Sequence, residues 1–304
     1  MHKMEIQYHK PVMVAECLDG LNIKAGGVYV DATYGGGGHS RAILDCLDDN
    51  GRLYAFDQDS DAIANAPKDE RVKVIHANFR NIKSFLRLEG VKDVDGILAD
   101  LGISSHQIDE ADRGFSTRAN GKLDMRMDRR QEVSAKDIVN DYDESELKRL
   151  LKLYGELPNA AQLARAICET RKKREISTTS ELCDAVRHHL PKGCENKYLA
   201  MIFQAIRIEV NGELDALKAM LEQSTGLLKE RGRLVVISYH SLEDRLVKNF
   251  IRAGNFEGEI KKDFYGNPIV PFKPVKRKVC IPTDTEIQEN NRARSAKLRI
   301  AEKA

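Results

Sequence analysis

The sequence predicts an α/β protein: a mostly parallel, Rossmann-like sheet with helices on both faces, interrupted by an all-helical insertion. Three observations carry this expectation. Short apolar runs alternate with helical patterns through roughly the first hundred residues, which is the signature of βαβ units. A glycine run, Gly35-Gly36-Gly37-Gly38, separates the first strand from the next helix. From about residue 134 to 190, only helix signals occur.

The elements follow in order. Val28-Tyr29-Val30-Asp31-Ala32 reads as a buried strand, and the chain from Ser40 onward reads as a helix with Ile43, Leu44 and Leu47 on one face. Leu53-Tyr54-Ala55-Phe56 is a second strand ending at Asp57, with a helix from about Ser60. Residues 72–76 and 96–100 supply the third and fourth strands. In the helical stretch, Asp143-Glu144-Ser145-Glu146 is a capping box before Leu147, Leu150, Leu151 and Tyr154. Pro158 can open the next helix, and Thr178-Thr179-Ser180-Glu181 forms another box before Leu182, Val186 and Leu190. A helix carrying Leu214, Leu217, Leu221 and Leu228 leads to a strand at 233–238. Late strands are expected near 275–281 and 296–301. The expected division is a discontinuous domain, 1–108 with 210–304, holding a helical insertion at 109–209 with a substrate-recognition role.

The chain has 304 residues, of which 41% are hydrophobic, with 49 Lys+Arg against 47 Asp+Glu. That composition argues against disorder. No apolar run approaches the ~18 residues a membrane span needs, and the start does not resemble a signal peptide, so a cytoplasmic protein is expected. Six cysteines without a C-x-x-C pair read as free thiols. Eight histidines at non-ligand spacings predict no metal site. The net charge of +2 is uneven: residues 261–304 carry 11 Lys+Arg and 5 Asp+Glu, leaving −4 for the rest.

A strand, a glycine run and a helix bring backbone close to a cofactor. No Lys-Ser or Lys-Thr follows, so a phosphate loop is absent. A G-x-G-x-x-G fingerprint started at Gly35 or Gly36 ends on Ser40 or Arg41, which weakens a dinucleotide reading. S-adenosylmethionine needs the close approach but has no pyrophosphate. A flexible surface turn is the plain alternative. Asp57 lies where an acid accepts ribose hydroxyls, with Asp59 and Asp61 as rivals that also suit a helix start. Phe79 is placed either to stack on adenine or to fill the core. Asp31, Asp57, Phe79 and Asp100 should converge beyond the carboxyl ends of the strands. In Tyr239-His240-Ser241-Leu242-Glu243-Asp244-Arg245, Ser241 reads as a helix cap paired with Asp244, while His240 emerges at the ligand edge.

Several motifs then occur in sequence: His9-Lys10-Pro11-Val12-Met13, the glycine run with His39, Asp100-Leu101-Gly102-Ile103-Ser104-Ser105, Arg113-Gly114-Phe115-Ser116 and Leu123-Asp124-Met125-Arg126-Met127-Asp128. Phe203-Gln204-Ala205-Ile206-Arg207-Ile208, the run after Tyr239 and Arg292-Ala293-Arg294-Ser295-Ala296-Lys297-Leu298-Arg299 complete the set. Over nearly the whole chain this resembles the bacterial small-subunit (16S) ribosomal RNA cytosine-N4 methyltransferases, the RsmH or MraW family. The resemblance implies S-adenosylmethionine held by Gly37, Gly38, His39, Asp57, Phe79, Asp100 and Gln107. It also implies a target cytidine in the decoding region of small-subunit ribosomal RNA, naked or within the 30S subunit.

That chemistry sets further expectations. Cytosine N4 has its lone pair delocalised into the ring, so it must be held in line with the methyl group, ~3–3.5 Å away. Asp100, Ser104 and His240 are the candidates to position the base. The [DNS]-P-P-[YFW] motif of DNA amino-methyltransferases is absent, which leaves the proton acceptor open. No cysteine follows a proline, which counts against methylation at carbon 5 through a covalent thiolate. RNA contacts are expected at Lys276, Arg277, Lys278, Arg292, Arg294 and Lys297; a solvated face is the alternative. Arg171-Lys172-Lys173-Arg174 is a weaker candidate that also suits a helix C-terminus. The target base must be extruded or already unpaired. Two competing functions are a non-catalytic RNA-binding assembly factor and a dinucleotide-dependent oxidoreductase.

Overall fold

A computed structural model describes residues 11–304 of the chain. His9 and Lys10 of the first motif lie outside the described residues. The described chain divides into two compact units, 11–102 with Leu214–Ala304, and Ile103–Glu213. The break falls before the expected 108 and after the expected 209, because Ile103 and Val210 pack with the second unit's core.

Among the described residues, the first unit holds seven strands in one sheet: β1 (Val28–Asp31), β2 (Arg52–Asp57), β3 (Val72–His76), β4 (Val94–Asp100), β5 (Leu228–Ser238), β6 (Phe272–Pro274) and β7 (Lys297–Lys303). Their order is β3-β2-β1-β4-β5-β7-β6. The first five are parallel, and β7 runs antiparallel to both β5 and β6. This is the expected Rossmann-like sheet. Side chains alternate between two buried faces, as a doubly covered sheet requires. Val30, Phe56, Ile97 and Val236 join Leu86, Leu221 and Phe250 in one core. Tyr29, Leu53, Leu98 and Val235 join Leu21, Ile43 and Leu298 in the other.

Three expectations need correction. The strand foreseen at 275–281 is instead β6, after which Val275 N donates a hydrogen bond to Ile300 O at 2.9 Å and Cys280 forms an isolated bridge to Leu298. Lys276, Arg277 and Lys278 are all exposed and give the chain no apolar face to lay on the sheet. Leu228 belongs to β5, and the preceding helix is Glu213–Leu227. An irregular register between Val94 and Gly96 on β4 and a left-handed Arg231 (φ 61°) let the strand start early. The helix expected from Pro158 begins at Ala160, behind Asn159.

The second unit packs helices Ala135–Asp141, Glu144–Leu153, Ala160–Arg171, Thr179–Arg187 and Glu195–Asn211 around Leu150, Leu163, Ile167, Leu182, Ile202 and Ile206. Asp143 with Glu146 and Thr178 with Glu181 form the expected capping boxes. Two of the family motifs prove to be folding devices here. Arg113 is 2% exposed and donates to Arg126 O at 3.1 Å and Met127 O at 3.3 Å. A Cβ on Gly114 would sit 2.4 Å from Lys122 O. Asn211 Nδ2 donates to Met125 O at 2.8 Å, and Asn211 Oδ1 accepts from Met127 N at 2.8 Å. Arg171 donates to Val139 O and Arg174 pairs with Glu181, so these two of the weaker basic candidates serve the fold.

Asn211→Leu would leave one buried amide and one buried carbonyl unpaired, at ~1–3 kcal/mol each. Urea unfolding should therefore show a loss of about 3 kcal/mol; an unchanged midpoint would contradict this role.

Candidate active site

The strand order reverses between β1 and β4, and the carboxyl ends of parallel strands beside such a reversal are where α/β sheets bind ligands. Asp31 ends β1, Asp57 ends β2 and Asp100 ends β4. The loop after β1 crosses this edge. Ala32 N donates to Leu98 O on the β4 side, and Tyr34 N donates to Phe56 O on the β2 side, both at 2.8 Å. Gly35 N then donates to Asp57 Oδ2 at 2.7 Å. A left-handed Gly37 (φ 76°) turns the chain into the helix Gly38–Leu44.

The glycines divide into two kinds. A Cβ on Gly37 would meet the Tyr34 hydroxyl at 2.7 Å, and one on Gly38 would meet Pro11 Cγ at 2.7 Å. Both are therefore required by the protein's own packing. Gly35 is open, with its nearest atom Thr33 O at 3.9 Å. Gly35 thus leaves open space beside its backbone, next to the expected pair.

The three aspartates occupy different environments. Asp31 is fully buried; it accepts from Ser40 Oγ at 2.7 Å and from Thr33 N at 3.1 Å. Burial raises its pKa against the opposing pull of His39 and Ser40. It holds the loop and offers no surface to a ligand. Asp57 accepts Gly35 N and Asp59 N, and burial pushes its pKa up to about 6 in spite of both bonds. Asp59 is engaged as the cap of the next helix, accepting Asp61 N, so it does not rival Asp57.

Asp100 receives the Tyr239 hydroxyl on Oδ1 at 2.8 Å, while its backbone amide donates to Thr33 Oγ1 at 2.7 Å. Its Oδ2 lies 3.7 Å from His39 Nδ1, and His39 Nε2 lies 2.9 Å from Val12 O. Burial raises the Asp100 pKa, opposed by His39 and Tyr239. Tyr239, Thr33 and Ser40 were not foreseen as site residues. The signal for Tyr239 was its place directly after β5, where it preceded the more conspicuous His240.

Phe79 opens a short 3₁₀ turn, half-buried, and packs against the core that contains Phe56 and Ile82. His240 corrects the expected cap. It, not Ser241, precedes the helix Ser241–Ala253, and its Nδ1 accepts Glu243 N at 3.4 Å. Its Nε2 stands 3.2 Å from Glu243 Oε1. The helix begins one residue earlier than expected, so Asp244 turns to β7 and binds Arg299 at 2.7 Å.

His240, Tyr239, Arg294 and Lys297 line a cleft of about 390 Å³. Lys297 lies 3.6 Å from Asp244, and Lys276 lies 3.3 Å from Asp19. Arg277, Lys278 and Arg294 are exposed, with no ion pair among the described residues. Arg292 is half-buried in the 3₁₀ turn Asn291–Ser295, which Ala293 anchors. Ser104 and Gln107 lie in the second unit, where Gln107 Oε1 accepts Ser104 N at 3.0 Å and Ser104 Oγ accepts Gln107 N at 3.2 Å. Among the described residues no group of three or more His, Cys, Asp or Glu is arranged to hold a metal, and no helix is long and apolar enough to cross a membrane.

Comparison with known proteins bears on this geometry. Residues 6–304 match the model of the MraW methylase family. The chain is 58% identical over 298 residues to ribosomal RNA small subunit methyltransferase H of Flavobacterium johnsoniae, covering 98% of each chain. It is 55% identical to the protein of that name from Christiangramia forsetii, again over 98% of each. With that of Parabacteroides distasonis it shares 51% identity over 304 residues, the full length of both. A match that runs through both units and the carboxylate edge shows that the chain belongs to the MraW methylase family.

Proposed function

We propose that the protein transfers the methyl group of S-adenosylmethionine to the exocyclic N4 of a specific cytidine in the decoding region of small-subunit ribosomal RNA. Membership of a methylase family makes it a methyltransferase, and its relatives' names specify ribosomal RNA of the small subunit. The single observation that carries the site is the row of carboxylates Asp31, Asp57 and Asp100 at the sheet's reversal point. Each has a raised pKa, and Asp31 pushes up both of the others. A ligand of net positive charge with ribose hydroxyls to donate fits that edge. A dinucleotide, with its anionic pyrophosphate, does not.

S-adenosylmethionine, when bound, supplies an electrophilic methyl on a positively charged sulfur. Asp57 accepts the ribose hydroxyls; each of its oxygens keeps a lone pair beyond the one given to Gly35 N or Asp59 N. Phe79 offers its exposed edge to the adenine. Gly37, Gly38 and His39 shape the loop, and His39 fixes its start by bonding Val12 O. For Ser104 and Gln107 the support is the family resemblance alone, because both side chains serve a capping box in their own unit.

Asp100 positions the target base. Tyr239 holds Oδ1, leaving Oδ2 to accept an N4 amino hydrogen. That bond favours a lone pair localised on N4 over one shared with the ring. The lone pair forms the new N–C bond as the methyl–sulfur bond breaks, with the electron pair staying on sulfur. N4 then loses one proton, which the Asp100 carboxylate accepts and passes to water; a raised pKa suits it to that task. No covalent enzyme–base intermediate is required. His240 closes the base-side cleft next to Arg294 and Lys297. Arg277, Lys278 and Arg294 meet the phosphates, with Arg292, Lys276 and Lys297 joining when RNA competes for their present partners.

Methyl labelling of naked 16S RNA and of 30S subunits, followed by nucleoside analysis, should yield N4-methylcytidine. 5-Methylcytidine or N6-methyladenosine would refute the position, and no transfer to either substrate would favour an assembly factor.

Asp57→Ala should weaken S-adenosylmethionine binding roughly tenfold or more, the loss of charge-assisted hydrogen bonds of ~1.5–3 kcal/mol. Since hydroxyl donors require the ionised carboxylate, affinity in the unmodified protein should fall as pH drops through about 6. The fall should approach about tenfold per pH unit. Calorimetry across pH 5–8 checks this, and a dependence that persists in Asp57→Asn would assign it elsewhere. Arg294→Ala should weaken RNA binding and reduce its salt slope by about one, leaving cofactor affinity unchanged; an unaltered slope would remove Arg294 from the phosphate contacts.

A further inference from the structure

Pro11, Val12 and Met13 enter the fold between two segments that are far apart in sequence. On one side lies the glycine loop, where Pro11 packs against Gly38 and Val12 O lies 2.9 Å from His39 Nε2. On the other lies the C-terminal stretch that carries Arg294 and Lys297. Val12 and Met13 share a core with Ala293, Ala296 and Leu298 of that stretch. Met13 N donates to Glu286 Oε1 at 2.6 Å, across 273 positions of sequence.

Met13 needs that bond more than an ordinary residue would. Its backbone is left-handed (φ 52°), a conformation that a residue with a Cβ takes rarely and at a cost. It precedes the helix Val14–Leu21 and has no side-chain cap, and its side chain is 1% exposed, committed to the core. In a capping box, an acid three residues into the helix accepts the cap amide. Here Glu286 does so from another element, and its carboxylate also suits the positive end of the helix. Glu286 is itself held in place: its amide donates to Thr283 Oγ1 at 3.2 Å, and its carbonyl accepts Asn290 N at 2.7 Å.

Beyond Val12 the same bonds reach the carboxylate edge. A carbonyl only accepts, so His39 Nε2 carries a hydrogen, which fixes how the ring is turned. Its Nδ1 then faces Asp100 Oδ2 at 3.7 Å, in a ring that is buried. Burial raises the Asp100 pKa, and His39 is foremost among the groups that oppose it, ahead of Tyr239. Asp31 faces the same ring. The orientation of His39 therefore bears on the carboxylate that the methyl-transfer step uses.

We propose that Glu286 is a positioning residue for Asp100, acting through Met13, Val12 and His39. Its bond to the Met13 amide holds the left-handed turn, the turn aims Val12 O, and that carbonyl orients the ring toward Asp100. The role rests on the proposed methyl transfer, in which Asp100 orients N4, and adds to it a residue from the C-terminal stretch. The stretch assigned to RNA phosphates thus also braces the acceptor for the target base.

Nitrogen NMR of the His39 ring in the full chain reads this relay without RNA, with the signals assigned by their loss in His39→Gln. The unmodified protein should show hydrogen on Nε2. Glu286→Ala and the shorter Glu286→Asp should both shift the ring signals. Glu286→Gln, whose side-chain carbonyl still accepts Met13 N, should leave them in place. In single-turnover methyl transfer at saturating S-adenosylmethionine and RNA, the first two variants should be slower by roughly tenfold. Glu286→Gln should keep the unmodified rate. Glu286→Ala combined with His39→Gln should be no slower than His39→Gln alone, because the first acts through the second. Unchanged ring signals in both Glu286→Ala and Glu286→Asp, or effects that multiply in the pair, would overturn the inference. A rate kept by Glu286→Asp and lost by Glu286→Gln would also overturn it, making charge alone responsible. Failure of the unmodified protein to methylate RNA, with the ring signals responding as expected, would sink the methyl-transfer reading and leave the relay to Asp100 standing.

Discussion

Parallel strands deliver their carboxyl ends to one edge, and here that edge carries a carboxylate at the end of three of them. Asp31 has no exposed surface, yet it is retained at the point where the strand order reverses. Leaving it unpaired would be prohibitive, and the Ser40 hydroxyl and Thr33 amide supply its bonds. In doing so they fix both ends of the glycine loop. Thr33 also binds the Asp100 amide, and Gly35 binds Asp57. One buried acid therefore sets the geometry through which two partly exposed acids reach the open edge of the sheet.

The parallel half of the sheet was legible because each of its strands is a short apolar run ended by a polar residue and separated by helical spacing. The capping boxes at Asp143 and Thr178 were equally direct, since their bonds are local. What escaped depends on distant partners. Tyr239 matters only because β5 lies beside β4, bringing its hydroxyl to Asp100 across 139 positions of sequence. Gly37 and Gly38 were expected to meet a cofactor, and the further reason for glycine at both, the closeness of Tyr34 and Pro11, depends on packing that the local pattern does not show. Val275 and its neighbours satisfied a strand pattern until three exposed cations pulled them off the sheet's edge. His240 looked like a base contact, and its backbone angles make it a helix cap as well.

The family motifs also separate by physical role. Those around Asp100 and Tyr239 build the chemical edge, whereas those around Arg113 and Asp124 tie a long loop in the second unit to Asn211. Similarity alone treats both as signatures. Burial and hydrogen bonds distinguish a residue that meets a ligand from one that holds a fold. Charge is partitioned in the same way: the near-neutral total hides a cationic C-terminal region in which Lys261, Lys262, Lys273, Lys276, Arg277, Lys278 and Arg294 are exposed.

The proposed role of Asp100, held by Tyr239, is to orient N4 through a carboxylate oxygen in the methyl-transfer step. Single-turnover methyl transfer by Asp100→Asn, at saturating S-adenosylmethionine and RNA, tests it most directly. The rate should be lower by roughly a hundredfold or more with the RNA still bound. A transfer rate equal to that of the unmodified protein would contradict it.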